Sequence, residues 1–203
     1  LTPEMPDSTL SCSGKYTVFR TDRKMGTGGG VCILCHDNVV KGIAVKIPDK
    51  FSSCEIVAVD LLNSSTKLRA ICCYRPPCSY VDLAVTHMSL FIECLNLLCN
   101  VDATILLCGD FNLPKIGWQN GYSISHSTDL CCESFTGFIN DNALIQYVNE
   151  KTRRADSSLK SSPGNILDLV LSNDNNFVFN VCVDMPFSTS DHLVVEFDIM
   201  LKV

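Results

Sequence analysis

Apolar positions recur along this chain with two periods. Short runs rich in valine, isoleucine and aromatic residues cover 16–20, 31–36, 55–62, 67–74, 104–108, 144–148, 166–171, 177–183 and 193–199. Gly, Pro, Asn or Asp bound them, which predicts strands. Val85, Met88, Phe91, Ile92, Leu95 and Leu98 instead recur every three or four residues, one apolar face of a helix over 81–99. Cys131, Phe135, Phe138 and Ile139 predict a second, shorter helix, with Ser127 or Thr128 available as its cap. Many strands and few helices in mixed order point to an α/β (α+β) arrangement of two packed sheets with helices outside, not a doubly wound parallel sheet. No repeat, low-complexity tract or linker interrupts residues 1–203, which read as a single domain. The most polar stretch, 149–165, carries Lys151, Arg153, Arg154 and Lys160 and reads as an exposed loop.

Composition narrows the class. Hydrophobic residues make up 46% and charged residues 19% of the chain, enough for a sizeable core and against disorder. No apolar run reads as a membrane span or an amino-terminal secretory signal. The net charge of −6 excludes a globally basic protein that coats nucleic acid, though not a local basic patch on an acidic body. Thirteen cysteines, an odd number, many of them inside apolar strings such as Ile71-Cys72-Cys73-Tyr74, read as small buried hydrophobes rather than a disulfide framework. A reducing compartment, nucleus or cytoplasm, is the expected location.

Three polar clusters sit at strand ends. Gly109-Asp110-Phe111-Asn112 follows the strand at 104–108, placing a carboxylate and an amide where both can reach one phosphate or one water. Asp168 lies inside the apolar run Ile166-Leu167-Asp168-Leu169, where burial of a lone carboxylate is expensive unless it is paired. Ser190-Asp191-His192 precedes the strand at 193–199 and joins a carboxylate to an imidazole, a metal ligand beside an acid/base group. Each alone reads more simply as a turn Asp, a capped strand end or a surface His; the series of three in this order is more specific.

That series resembles the endonuclease/exonuclease/phosphatase superfamily. Tyr74-Arg75-Pro76-Pro77 is similar to its Tyr-x-Pro-Pro motif. Phe19-Arg20-Thr21-Asp22-Arg23, Gly28-Gly29-Gly30-Val31, Thr152-Arg153 and Ile166 through Ser172 resemble one branch, the apurinic-like endonuclease domain of non-LTR (LINE-type) retrotransposons. The resemblance implies a four-layer sandwich of two mixed β-sheets flanked by helices, and metal-dependent phosphodiester hydrolysis that nicks DNA. It implies Asp110 as the group that activates or positions water, with Asn112 orienting water and phosphate. His192 would bind the scissile phosphate, and Asp168 would orient that imidazole and raise its pKa. Asp191 would join the metal shell, Tyr74 and Thr152 would touch phosphate, and Arg153 and Arg154 would meet the DNA backbone. The implied cofactor is Mg²⁺, and the implied partners are DNA and a reverse transcriptase region of the same polyprotein. Leu1-Thr2-Pro3 looks like the tail of the family's Glu-x-Trp-Leu signature. On that basis the principal metal-binding Glu and the first strand–helix–strand are expected before Leu1, in a longer protein. The alternatives are an abasic-site or exonucleolytic nuclease or phosphatase of the same superfamily, and a non-catalytic remnant.

Other motifs carry less. Cys32-Ile33-Leu34-Cys35-His36 spells a c-type haem attachment pattern, but its strand-like alternation sends the two cysteines to opposite faces, so no haem is expected. Zinc lacks a second ligand pair. Gly26-Thr27-Gly28-Gly29-Gly30 reads as a turn into the strand at 31–36, because Val31 stands where a dinucleotide fingerprint needs its third glycine. Trp118 is expected either to stack on a base or to anchor its loop.

Overall fold

Ile56 and Ala58 point one way from their strand and Val57 and Val59 the other, and all four are buried. A strand buried on both sides belongs in the middle of a layered structure. The computed structural model describes residues 1–24, 28–62, 67–123, 128–154 and 164–201. In chain order these form the one-turn helix α1 (Asp7–Leu10), β1 (Tyr16–Thr21), β2 (Val31–His36), β3 (Lys41–Ala44), a 3-10 turn (Asp49–Phe51), β4 (Glu55–Leu62) and β5 (Lys67–Tyr74). Helix α2 (Val81–Cys99), β6 (Thr104–Asp110), the small hairpin β7 (Trp118–Gln119) and β8 (Tyr122–Ser123), and α3 (Leu130–Asp141) follow. The chain ends through β9 (Ile145–Gln146), β10 (Asp168–Ser172), β11 (Val178–Asp184) and β12 (Val194–Ile199).

Six strands form the central sheet in the order β3-β4-β5-β6-β10-β9. Only β5 and β6 are parallel, and α2 is the crossover that joins them; every other neighbouring pair is antiparallel. One face of the sheet packs Ile71, Ile105, Leu107 and Leu171 against Met88, Phe91 and Leu95 of α2 and Phe135 and Phe138 of α3. The opposite face sets Leu68, Leu106 and Val170 against Val178, Val195 and Phe197 of the β11–β12 pair. The β1–β2 hairpin lies over β4 and β5. The second β layer is thus two separate antiparallel pairs, β1–β2 and β11–β12.

Three expectations shift. The cap of α3 is Asp129, which accepts from the N–H groups of Cys131 and Cys132 and pairs with Lys115 at 2.8 Å. Asp leads the capping preference over Thr, and Ser127 lies outside the described residues. β3 and the β7–β8 hairpin escape sequence reading because they are short, glycine-containing or flanking, and mostly exposed at a sheet edge. Finally, α2 has, by length and composition, what a membrane span needs: 19 residues at a mean hydropathy of 1.4. Here Ala84, Met88, Phe91, Cys94, Leu95, Leu98 and Cys99 are buried in the core, which accounts for its apolar sequence. Trp118 is partly buried against the same core, the anchoring option. The Cys32–Cys35 segment is strand β2, and the stretch 25–27 of the glycine turn lies outside the described residues.

Candidate active site

β6 runs two residues further than its apolar stretch suggests, so Asp110 is the last residue of the strand. That extension puts it in register with Tyr74 of parallel β5 on one side and with Asp168 of antiparallel β10 on the other. Parallel β5 and β6 both end here, and β10 begins here. A carboxylate is delivered from each of two hydrogen-bonded strands to the same edge. Gly109 makes the approach possible: at φ 150° its missing side chain leaves room for the Cys73 carbonyl.

His192 arrives from the loop between β11 and β12. Its Nδ1 lies 2.8 Å from Asp168 Oδ2 and its Nε2 lies 3.9 Å from Asp110 Oδ2. A carboxylate only accepts, so Nδ1 carries a proton towards Asp168 and Nε2 is the ring nitrogen turned towards Asp110. Asp110 in turn accepts from Asn112, at 3.0 Å from its backbone N–H and 2.8 Å from its side-chain amide. Asn112 reaches back in this way because it adopts a left-handed conformation, φ 47°, which asparagine tolerates.

The charges respond to this crowding. Burial first, and then the neighbouring Asp168 carboxylate, push the Asp110 carboxyl up to about 6, against the opposing pull of Asn112 and His192. The hydrogen bond to Asp168 raises the His192 imidazole above its ordinary value, helped by the charges of Asp168, Asp110 and Asp191 and opposed by burial. Ligand atoms of Asp110, Asp168 and His192 all lie within 4.8 Å of one another. Two half-buried carboxylates this close leave negative charge that a cation would relieve. Carboxylate oxygens and one imidazole nitrogen are a donor set that could hold a metal ion.

The remaining expected residues sit as follows. Thr152 is fully buried, and its hydroxyl accepts from the N–H groups of Leu167 and Asp168, both at 3.0 Å. Its carbonyl accepts from Leu193 N–H at 2.7 Å, and Arg153 forms a backbone bridge with His192. Thr152 therefore ties the His192 loop to the start of β10 and turns no polar atom outwards. Asp191 is exposed and lies outside the converging group; its carboxylate receives Nε and Nη2 of Arg153 at 2.9 and 2.8 Å. Burial raises the Asp191 carboxyl, yet the hydrogen bond and charge of Arg153 outweigh that and hold it below its ordinary value. Lys151 and Arg154 are exposed beside it, while Lys160 lies outside the described residues. Tyr74 is half-buried, with the Arg23 guanidinium 5.2 Å from its ring centre; Arg23 also pairs with Glu55 at 2.7 Å. Sequence reasoning gave no role to Arg75, which the fold buries against the Asp110–Asn112 turn. Its only signal was its place inside the Tyr-x-Pro-Pro motif.

Residues 68–196 match the family described as endonuclease-reverse transcriptase, well over half of the chain. The chain belongs to that family. The fold of this endonuclease-reverse transcriptase family member agrees. The endonuclease domain of TRAS1, a telomere-specific non-LTR retrotransposon, matches with a TM-score of 0.64 at 15% identity, over 93% of this chain and 82% of that one. The 3′ phosphatase NExo from Neisseria, bound to product DNA hairpin, matches with a TM-score of 0.69 at 14% identity, over 99% and 86%. An AP endonuclease from Archaeoglobus fulgidus matches with a TM-score of 0.66 at 14% identity, over 98% and 84%. These likenesses show the fold, that of the endonuclease/exonuclease/phosphatase superfamily. No curated protein matches the chain in sequence.

Proposed function

We propose that this chain is a Mg²⁺-dependent endonuclease that nicks DNA by phosphodiester hydrolysis, as the endonuclease domain of a retrotransposon polyprotein. The observation that carries the reading is the meeting of Asp110, Asp168 and His192 at three neighbouring chain segments, with their ligand atoms within 4.8 Å. Membership of a family described as endonuclease-reverse transcriptase supports the retrotransposon setting. It also makes a reverse transcriptase region of the same polyprotein the natural recipient of the 3′ hydroxyl left by the nick. Cysteines buried as thiols in the core, Cys35, Cys54, Cys73 and Cys94 among them, support action in a reducing compartment, nucleus or cytoplasm.

The residues divide the work by their surroundings. Asp110, held at the strand end beside Asp168 and His192, is placed to orient an attacking water and accept its proton. Asn112 fixes the Asp110 carboxylate through two hydrogen bonds, so the base needs no reorganisation. His192, oriented at Nδ1 by Asp168, presents Nε2; protonated, it donates to a phosphate oxygen as charge develops there. Asp110 and Asp168 are the carboxylates placed to hold Mg²⁺, which when bound polarises phosphate and lowers the pKa of water. Tyr74, beside Asp110 at the end of β5, and exposed Arg154 are proposed to contact the DNA backbone.

The test is nicking of supercoiled plasmid in Mg²⁺ by the longer protein that includes these 203 residues, with abasic duplex and a 3′-phosphorylated hairpin as alternative substrates. His192→Ala and Asp168→Asn should each slow nicking by at least about a hundredfold. Nicking by His192→Ala within a few-fold of the unaltered chain, or preference for either alternative substrate, overturns the reading.

A further inference from the structure

Arg75 stands directly after β5 in the sequence and is only 6% exposed. An arginine is charged at every accessible pH, and a buried guanidinium is usually compensated by a carboxylate. Among the described residues no carboxylate comes within ion-pair distance of it, and the salt bridges formed there involve other cations. Its partners are main-chain oxygens of one short segment. Nη1 donates to the carbonyls of Phe111 and Asn112, at 3.2 Å each. The backbone N–H of Arg75 donates to the Asp110 carbonyl at 2.9 Å, and its own carbonyl accepts from Asn112 Nδ2 at 3.0 Å.

Four hydrogen bonds therefore run between one residue after β5 and the three residues Asp110, Phe111 and Asn112. Those three must turn sharply, because Phe111 dives fully into the core while Asn112 takes a left-handed conformation to reach back to Asp110. Asparagine tolerates the left-handed conformation without demanding it, so the contacts to Asp110 and Arg75 select it here. The same Nδ2 group that donates to Asp110 also donates to the Arg75 carbonyl, so the two contacts share one amide.

We infer that Arg75 is a positioning residue of the site: its buried guanidinium holds the Phe111 and Asn112 carbonyls and so sets the Asp110–Asn112 geometry. The inference rests on the proposed reading of that site. It makes Arg75 act on the reaction through Asp110 and Asn112, with no contact to substrate. A lysine keeps the charge, but its ammonium ends one bond short of Nη1, the nitrogen that reaches both carbonyls, so Arg75→Lys is a disruptive change here.

The experiment compares Arg75→Lys and Arg75→Gln with Leu98→Ala, a core truncation at the far end of α2 that lowers stability without touching the turn. Well below the unfolding midpoint of each variant, Arg75→Lys should reduce kcat for plasmid nicking by about ten- to a hundredfold with KM within about twofold. The Asn112 side-chain amide signals in an ¹H–¹⁵N spectrum should move in Arg75→Lys and stay in place in Leu98→Ala. Nicking by Arg75→Lys at the rate of Leu98→Ala, or unmoved Asn112 signals, overturns the inference. Should both Arg75 variants fail to fold, the unaltered protein decides: its Arg75 guanidinium must show distinct, slowly exchanging Nη1 and Nη2 resonances, and a single averaged signal counts against the role. His192→Ala run in parallel separates the two proposals. If His192→Ala loses activity while Arg75→Lys keeps it, the site stands and Arg75 is structural; if His192→Ala keeps activity, the reading of the site itself fails.

Discussion

Replacing Gly109 by alanine should damage stability and activity together, because one backbone contact serves both. Gly109 pairs with Cys73 across the parallel β5–β6 ladder and adopts φ 150°, a conformation that side-chain-bearing residues rarely take. A Cβ built there falls 1.9 Å from the Cys73 carbonyl oxygen and 2.8 Å from its carbonyl carbon. Non-bonded heavy atoms sit about 3.5 Å apart, so the strands would have to part by roughly 1.5 Å at this point. Parting them loosens one or two ladder hydrogen bonds, about 1 kcal/mol each, and the strained backbone adds about 1–3 kcal/mol. The sum, about 2–5 kcal/mol, is large against the ~5–15 kcal/mol by which domains are usually stable. Asp110 is the next residue, so the same displacement shifts the proposed base against Asp168 and His192. A misplacement of about 1 Å can cost on the order of a hundredfold in rate. Urea denaturation followed by plasmid nicking well below the midpoint reads both effects. Gly137→Ala is the matched comparison, because nothing lies within 4 Å of its added carbon and its backbone is helical. It should stabilise by roughly 0.5–1 kcal/mol and leave nicking unchanged. A Gly109→Ala protein with an unaltered midpoint and nicking within a few-fold of the parent would refute the reasoning.

Asp110→Asn should abolish nicking yet stabilise the fold at neutral pH. The folded pKa near 6 lies above the ordinary 3.8, so the folded state binds the proton more tightly and loses stability as pH rises from about 4 through 6. Removing the charge should return on the order of 1–3 kcal/mol at pH 8 and nothing below pH 4; denaturation at the two pH values checks it, and an equal effect at both counts against it. Arg154→Ala should weaken duplex binding and lower the slope of log affinity against log salt by about one. Arg153→Ala should lower it less, because Asp191 already holds that guanidinium; equal slopes would place Arg153 on the DNA.

Local pattern alone was enough for α2, whose bounds follow from the three- and four-residue recurrence of Met88, Phe91, Leu95 and Leu98. It also located most of β4, β5, β6 and β10, where alternate residues face two different apolar layers. Those strands are long and buried, so tertiary packing reinforces what local preference already favours. The edge strand β3 and the β7–β8 hairpin carried no such signal, because short exposed pairs leave little apolar periodicity to read.

The site divides in the same way. Asp110, Asn112, Asp168 and His192 were visible from sequence as polar residues at the ends of apolar runs, since a carboxylate beside a strand core demands a partner. Which residue partners which was decided by the fold. The β6–β10 register sets Asp110 beside Asp168, residues 58 positions apart, and the Thr152 hydroxyl fastens the His192 loop to the start of β10. Asp191, next to His192 in sequence, is drawn outward by Arg153, whereas Arg75, named only by its motif, is drawn inward to the Asp110–Asn112 turn. Sequence determines which side chains cannot stand alone in an apolar setting. Only the closure of long-range backbone pairing determines whose company they keep, because that choice depends on distances no local pattern encodes.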